Sequence, residues 1–90
     1  MVKSVYTAQY EVLLRSLILA RKAAGLTQQQ LADRLTKPQS FVSKFESGER
    51  RLDVVEFLLV TRAIGADPCE ILQKIEHDSR RRAVEKKKAA

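Results

Sequence analysis

Two residues, Thr36 and Lys37, separate two short segments that each carry their own helix signals. This is the tightest constraint in the chain. In the first segment, Gln28 to Leu35, Thr27 stands as the cap and Gln30 answers three residues on, a T-x-x-Q capping box. Leu26 and Leu31 occupy the two positions of a hydrophobic staple. Leu31, Ala32 and Leu35 make its inward face. The second segment runs from about Pro38 to Ser47 within KPQSFVSKFESGERR. Proline at the first helical position loses nothing, because that N–H has no helical partner. Phe41, Val42 and Phe45 are its apolar residues, and Gly48 closes it. A two-residue link cannot let the helices lie antiparallel along their whole length. It forces a steep crossing, with small Ala32 at the closest approach and Leu31, Leu35, Val42 and Phe45 beneath it.

The flanking sequence is punctuated by Gly25, Gly65 and Pro68, and its periodicity is helical throughout. From about Thr7 to Ala24, Tyr10, Leu13, Leu14, Leu17, Ile18 and Arg21 recur at spacings of three and four and form one stripe. Gly25 suits the left-handed position that ends a helix. From about Val54 to Ile64, Asp53 is the cap, Glu56 its answer, and Leu52 and Phe57 the staple. A fifth segment takes Asp67 as cap and Pro68 as its first helical residue, and carries Ile71, Leu72 and Ile75. No run alternates as a strand does, and there is no internal repeat. Local signals agree on an all-α domain of five helices over residues 1–76. Residues 77–90 form a basic tail that either extends the last helix or is disordered.

Ninety residues, 44% apolar and 31% charged, are enough for one modest core. The net charge of +6 suggests an anionic partner. Its distribution is uneven: residues 1–76 hold 11 basic and 9 acidic groups, and residues 77–90 hold 6 and 2. A single cysteine excludes an internal disulfide and fits a reducing compartment. The apolar stretch LLRSLILA is broken by Arg15 and too short to span a bilayer, and no signal-peptide pattern precedes it. These features predict a cytoplasmic protein with no membrane partner.

The steeply crossed pair, about residues 27–47, is the sequence form of a helix-turn-helix, whose second helix projects from the surface. LTQQQLADRL, QSFVSKFESGERR and AIGADPCEIL together resemble the Xre/Cro/C1 family of helix-turn-helix regulators over roughly residues 10–75. The resemblance implies a compact five-helix bundle of the lambda-repressor-like DNA-binding type. Two positions depart from the commonest pattern, which has glycine at Thr36 and an apolar residue at Lys37. Either Thr36 takes a strained φ or the turn is shifted.

In that geometry helix 38–47 enters the major groove of double-stranded DNA, where donor and acceptor patterns distinguish the bases. Gln39 is the strongest reader, since its amide can donate to and accept from adenine together. Ser40 bonds either way, Lys44 reaches guanine or a phosphate, and Phe41 can meet a thymine methyl. Lys37, Ser43, Arg50 and Arg51 supply phosphate contacts. Gln28 opens its helix, where free N–H groups favour an anion, and the family resemblance implies a phosphate contact there. The same resemblance implies that Glu46 turns away from DNA and pairs with Arg21 in a partly buried ion pair.

The expected function is sequence-specific regulation of transcription, repression being the simplest form, by a homodimer on a near-palindromic site. Pro68, Ile71, Leu72 and Ile75 are candidates for the dimer surface. Some of them must also fill the core. The first helix, with Val5 and Tyr6 ahead of it, is the other candidate surface. An antitoxin-type module that binds a protein partner and represses its own promoter is the alternative, and a tail-driven non-specific binder is a third reading. No serine has an activating base nearby, and no glycine-rich loop cradles a nucleotide. His77 has no companion at ligand spacing, and Cys69 reads as a small buried or half-buried residue. No enzyme activity, metal, cofactor or small-molecule-binding domain is therefore expected.

Overall fold

A computed structural model describes the backbone of residues 5–89 and the side chains of residues 8–83. Every regular element among the described residues is a helix: α1 Val5–Ala23, α2 Gln28–Leu35, α3 Gln39–Glu46, α4 Val54–Ile64 and α5 Pro68–Ala89. The start signals of α2 and α4 act where the sequence places them. The Thr27 hydroxyl accepts from the Gln30 N–H at 3.1 Å, and the Thr27 N–H donates to the Gln30 amide oxygen at 2.9 Å. Asp53 and Glu56 make the same reciprocal pair at the start of α4, at 2.7 and 3.0 Å.

One core lies beneath the helix-turn-helix. Leu14 and Leu17 of α1, Leu31 and Ala32 of α2, Val42 and Phe45 of α3, Phe57, Val60 and Ile64 of α4, and Ile71 of α5 all converge there. Ala32 and Val42 expose no surface, so the small residue of α2 is fully enclosed in this core. Burial of this order, at about 25 cal/mol per Å² of apolar surface, is the main force that fixes the crossing.

The connection between α2 and α3 resolves the ambiguity at Thr36. Thr36 adopts φ 56° and ψ 45°, left-handed and non-glycine. Its N–H donates to the Asp33 carbonyl and that of Lys37 to the Ala32 carbonyl, at 3.1 and 3.0 Å. This double closure is the ordinary glycine-type helix ending, carried here by a threonine. The link is also one residue longer than the spacing suggested. Pro38 is not the first residue of α3: its φ of −68° and ψ of 154° place it outside the helix as the cap, and α3 spans Gln39–Glu46 rather than 38–47. Proline's fixed φ suits both positions, and only ψ separates them.

Helix α5 runs without a break to Ala89 and packs on α1. Beyond His77 the described part keeps a tertiary bond, from the Gln9 amide to the Ser79 hydroxyl at 2.6 Å. The apolar residues of α5 divide clearly. Ile71 is 4% exposed and fills the core, which removes it from the dimer candidates. Leu72 is 52% exposed, while Pro68 and Ile75 are half-buried. Val5 opens α1 instead of preceding it, and the side chains of Val5 and Tyr6 lie outside the described residues.

Candidate nucleic-acid interface

The site begins with a buried charge. Arg21, in the last turn of α1, faces Glu46, the last residue of α3. Nε donates to Oε2 at 2.7 Å and Nη2 to Oε1 at 3.0 Å, with the side chains 9% and 6% exposed. The third guanidinium nitrogen, Nη1, donates to the Leu26 carbonyl at 2.8 Å. Such a two-pronged pair is geometrically specific. It binds α1, the α1–α2 turn and α3 together.

Glu46 has a second partner. Gln28, at the start of α2, donates from Nε2 to Glu46 Oε1 at 2.9 Å. Gln28 Oε1 in turn accepts from Gln39 Nε2 at 2.8 Å. Four side chains therefore run in a line from the core to the exposed start of α3. Gln39, Ser40 and Lys44 are exposed on the outer side of α3, and Ser43 is half-exposed. Gln39 and Ser43, and Ser40 and Lys44, are each four residues apart and so stack in two adjacent rows along this side.

Cations flank this face, and aromatic rings hold them. The half-buried Phe41 carries the Lys37 ammonium 5.7 Å and the Arg50 guanidinium 4.9 Å from its ring centre, within cation–π range. Phe41 also packs edge-on against Phe45 and joins the core. The Arg51 guanidinium lies 4.4 Å from the centre of the Tyr10 ring. The Tyr10 hydroxyl accepts from the Leu52 N–H at 2.9 Å and ties the loop before α4 to α1. Arg50 also grips Glu56, from Nη2 to Oε2 at 2.7 Å and from Nη1 to Oε1 at 3.1 Å. That bond holds the Glu56 carboxyl below its ordinary range, helped by the Asp53 backbone, and raises the Arg50 guanidinium. Among the described residues no cluster of histidine, cysteine, aspartate or glutamate could hold a metal ion. No helix there is long and apolar enough to cross a membrane.

A family profile for helix-turn-helix domains matches residues 17–71, which spans α1 from Leu17, the whole two-helix unit, α4 and the start of α5. The chain belongs to the Xre/Cro/C1 helix-turn-helix family of DNA-binding transcription regulators. It is 55% identical to an XRE-family like protein from Pseudomonas syringae pv. tomato str. DC3000. The match covers 81% of this chain and 89% of that one, with a TM-score of 0.78. Two structures of the clp gene regulator ClgR from Corynebacterium glutamicum share the fold. One is 23% identical over 78% of this chain and 91% of its own, with a TM-score of 0.69. The other is 22% identical over 90% and 86%, with a TM-score of 0.70. No curated protein sequence matches significantly.

In this member of the Xre family, α2, the turn after it and α3 bring the candidate residues Gln28, Lys37, Gln39, Ser40, Phe41, Ser43 and Lys44 together. The loop after α3 adds Arg50 and Arg51. Three features of this family member do not follow from local spacing in the sequence. Tyr10 is a core-stripe residue by its spacing, yet it anchors the loop that carries Arg51. Glu56 is a cap by its spacing, yet it also binds Arg50. Gln28 meets Gln39 across a gap of 11 residues in sequence. The only signal for that meeting was the short link itself.

Proposed function

We propose that the chain is a sequence-specific regulator that acts in the cytoplasm as a homodimer on a near-palindromic operator, most simply as a repressor. The exposed start of α3 enters the major groove, Gln39, Ser40 and Lys44 read base edges, and Phe41 lies beside them to meet a thymine methyl. Lys37, Ser43, Arg50, Arg51 and the free N–H of Gln28 bind phosphates and fix the register. The observation that carries this reading is the row of side chains from Arg21 to Gln39. A buried ion pair holds the reading amide at the open end of the helix, so its geometry is set before DNA arrives.

Pairing follows from the size of the readout. One short helix touches only a few base pairs, and a two-fold pair doubles that, with half-sites one helical turn, about 34 Å, apart. The exposed Leu72, beside Ile75, Leu13 and Val54 in an apolar groove of about 230 Å³, supplies a surface for the second copy. Selection from a random double-stranded library at about 0.15 M salt tests the reading. A two-fold symmetric enriched motif is expected. A pool with no enrichment would sink it and turn attention to a protein partner.

A further inference from the structure

We infer that Glu56, on α4 and outside the two-helix unit, is a positioning residue for DNA: it orients Arg50 so that one two-pronged edge of the guanidinium stays free for a phosphate. The inference rests on the reading that Arg50 meets the DNA backbone. It gives a carboxylate, which a phosphate repels, the part of strengthening DNA binding.

A guanidinium is planar and carries five N–H donors in fixed directions. In Arg50 three of them are spent. Nη1 donates to Glu56 Oε1 at 3.1 Å and to the Arg51 carbonyl at 3.3 Å, and Nη2 donates to Glu56 Oε2 at 2.7 Å. Glu56 thus takes the far end of the guanidinium, the edge made by Nη1 and Nη2. The Nε–H and the second N–H of Nη2 have no partner among the described residues. These two lie parallel on the side edge, the arrangement that grips two phosphate oxygens at once. The same chain shows the opposite case. Arg21 spends Nε and Nη2, its side edge, on Glu46, so that pair is closed to phosphate.

Arg50 is also held from behind. Its guanidinium lies 4.9 Å from the centre of the Phe41 ring, and Phe41 packs edge-on against Phe45 of the core. The Arg50 N–H donates to the Lys44 carbonyl at 3.1 Å, which ties the loop to the end of α3. Glu56 is fixed in turn, because its Oε1 accepts from the Asp53 N–H at 3.0 Å. A phosphate therefore meets a long side chain that is already ordered, and binding does not have to supply that order.

Charge and position predict opposite signs. Glu56 lines one small cavity with Lys37 and Phe41, so its negative charge stands among the cations of the interface. By charge alone, neutralising it should tighten DNA binding. By position, neutralising it should weaken binding, since Arg50 loses its fork. Glu56→Gln keeps the cap, because its amide oxygen can accept from the Asp53 N–H as Gln30 accepts from Thr27. Its NH2 then faces a second donor at Nη2. Glu56→Asp keeps the charge and draws the carboxylate back from Arg50.

The experiment takes the duplex enriched from the random library. Its affinity is measured across a range of salt for the natural chain, Arg50→Ala, Glu56→Gln, Glu56→Asp and the chain carrying both Arg50→Ala and Glu56→Gln, with melting curves as a check on folding. Arg50→Ala should weaken binding about tenfold or more and make its salt dependence shallower by about 0.9, the share of one phosphate. Glu56→Gln should weaken binding at least about threefold although it adds a net positive charge, and Glu56→Asp should do so at unchanged charge. In the Arg50→Ala background Glu56→Gln should lose no affinity. If either Glu56 variant binds as tightly as the natural chain, the inference is overturned; tighter binding by Glu56→Gln would make Glu56 a competitor of the phosphate. An equal loss in both backgrounds overturns it as well, since Glu56 would then act through the fold. An Arg50→Ala chain of unchanged affinity and salt dependence removes the phosphate contact of Arg50 itself, and with it the reading on which the inference rests.

Discussion

Among the described residues, Thr36 is the one non-glycine residue with a left-handed backbone. A β-branched side chain at φ 56° crowds the backbone, and a left-handed non-glycine residue of this kind costs about 1–3 kcal/mol. The closure it completes keeps it there, because both N–H bonds of the turn depend on that conformation. Thr36→Gly removes the strain and loses about 0.4–1 kcal/mol to the greater freedom of the unfolded chain. A net gain of about 1 kcal/mol is expected in urea unfolding; a decrease would mean that the threonine side chain contributes something the turn geometry does not reveal. Arg21 stands at the other extreme. Arg21→Ala leaves Glu46 buried with one neutral partner, at a cost of about 3–5 kcal/mol. Small domains hold about 5–15 kcal/mol in total. A change below about 1 kcal/mol in the same assay would contradict the burial of the pair.

At the scale of elements, the start of α4 joins a cap to a charge. Glu56 accepts from the Asp53 N–H and from Arg50, so one carboxylate serves both the helix and the loop that bears Arg50 and Arg51. Its carboxyl is held low first by the Arg50 hydrogen bond and then by the Asp53 backbone. The folded chain therefore binds this proton less readily than the unfolded chain. The stabilisation is complete above the unfolded carboxylate value of about 4.3 and disappears as pH falls through the lower folded value. Raising the Arg50 guanidinium adds nothing in this range, since it is charged in both states. Glu56→Gln should flatten the fall in melting temperature below about pH 4.5. An unchanged acid slope would show that the pair does not persist in solution.

Elements of this kind are the most legible part of the sequence. Both capping boxes and the burial of Ala32 depend on residues within a few positions of one another, and local spacing determines them. Spacing alone puts Pro38 one residue too far into its helix, because φ cannot tell the cap from the first turn. The row from Arg21 to Gln39 is only half legible. The family resemblance brings Arg21 to Glu46, but three helices must meet before Gln28 can reach both Glu46 and Gln39.

For the whole molecule, charge and pairing act at different ranges. Most of the basic excess lies beyond residue 76, where Arg80 pairs with Glu76 and Arg81 and Arg82 pair with Asp78 along a helix face on which the arginines are exposed. Exposed pairs of this kind are worth under about 1 kcal/mol, so these arginines can exchange partners for phosphates. Removing residues 80–90 should make the dependence of DNA affinity on salt shallower, by about 0.9 for each phosphate the tail had neutralised, and leave base preference unchanged. An altered preference would give the tail a role in reading.

Pairing is a matter of surface. Leu72 is half exposed on a helix whose inner face, through Ile71, is already spent on the core. Val54, 74% exposed, stands on the same groove. Leu72→Glu puts a charge on that surface without touching the core, so the monomer should fold as before. If this face joins two copies, sedimentation should show the natural chain as a dimer and the variant as a monomer. The variant should also lose its advantage on a two-half-site operator over a single half-site, an advantage that linkage can raise to about 10²–10⁴. A dimer that survives Leu72→Glu puts the pairing surface elsewhere, with α1 the remaining face. A natural chain that is monomeric on its operator removes the two-fold readout, and specificity would then have to come from one α3 alone.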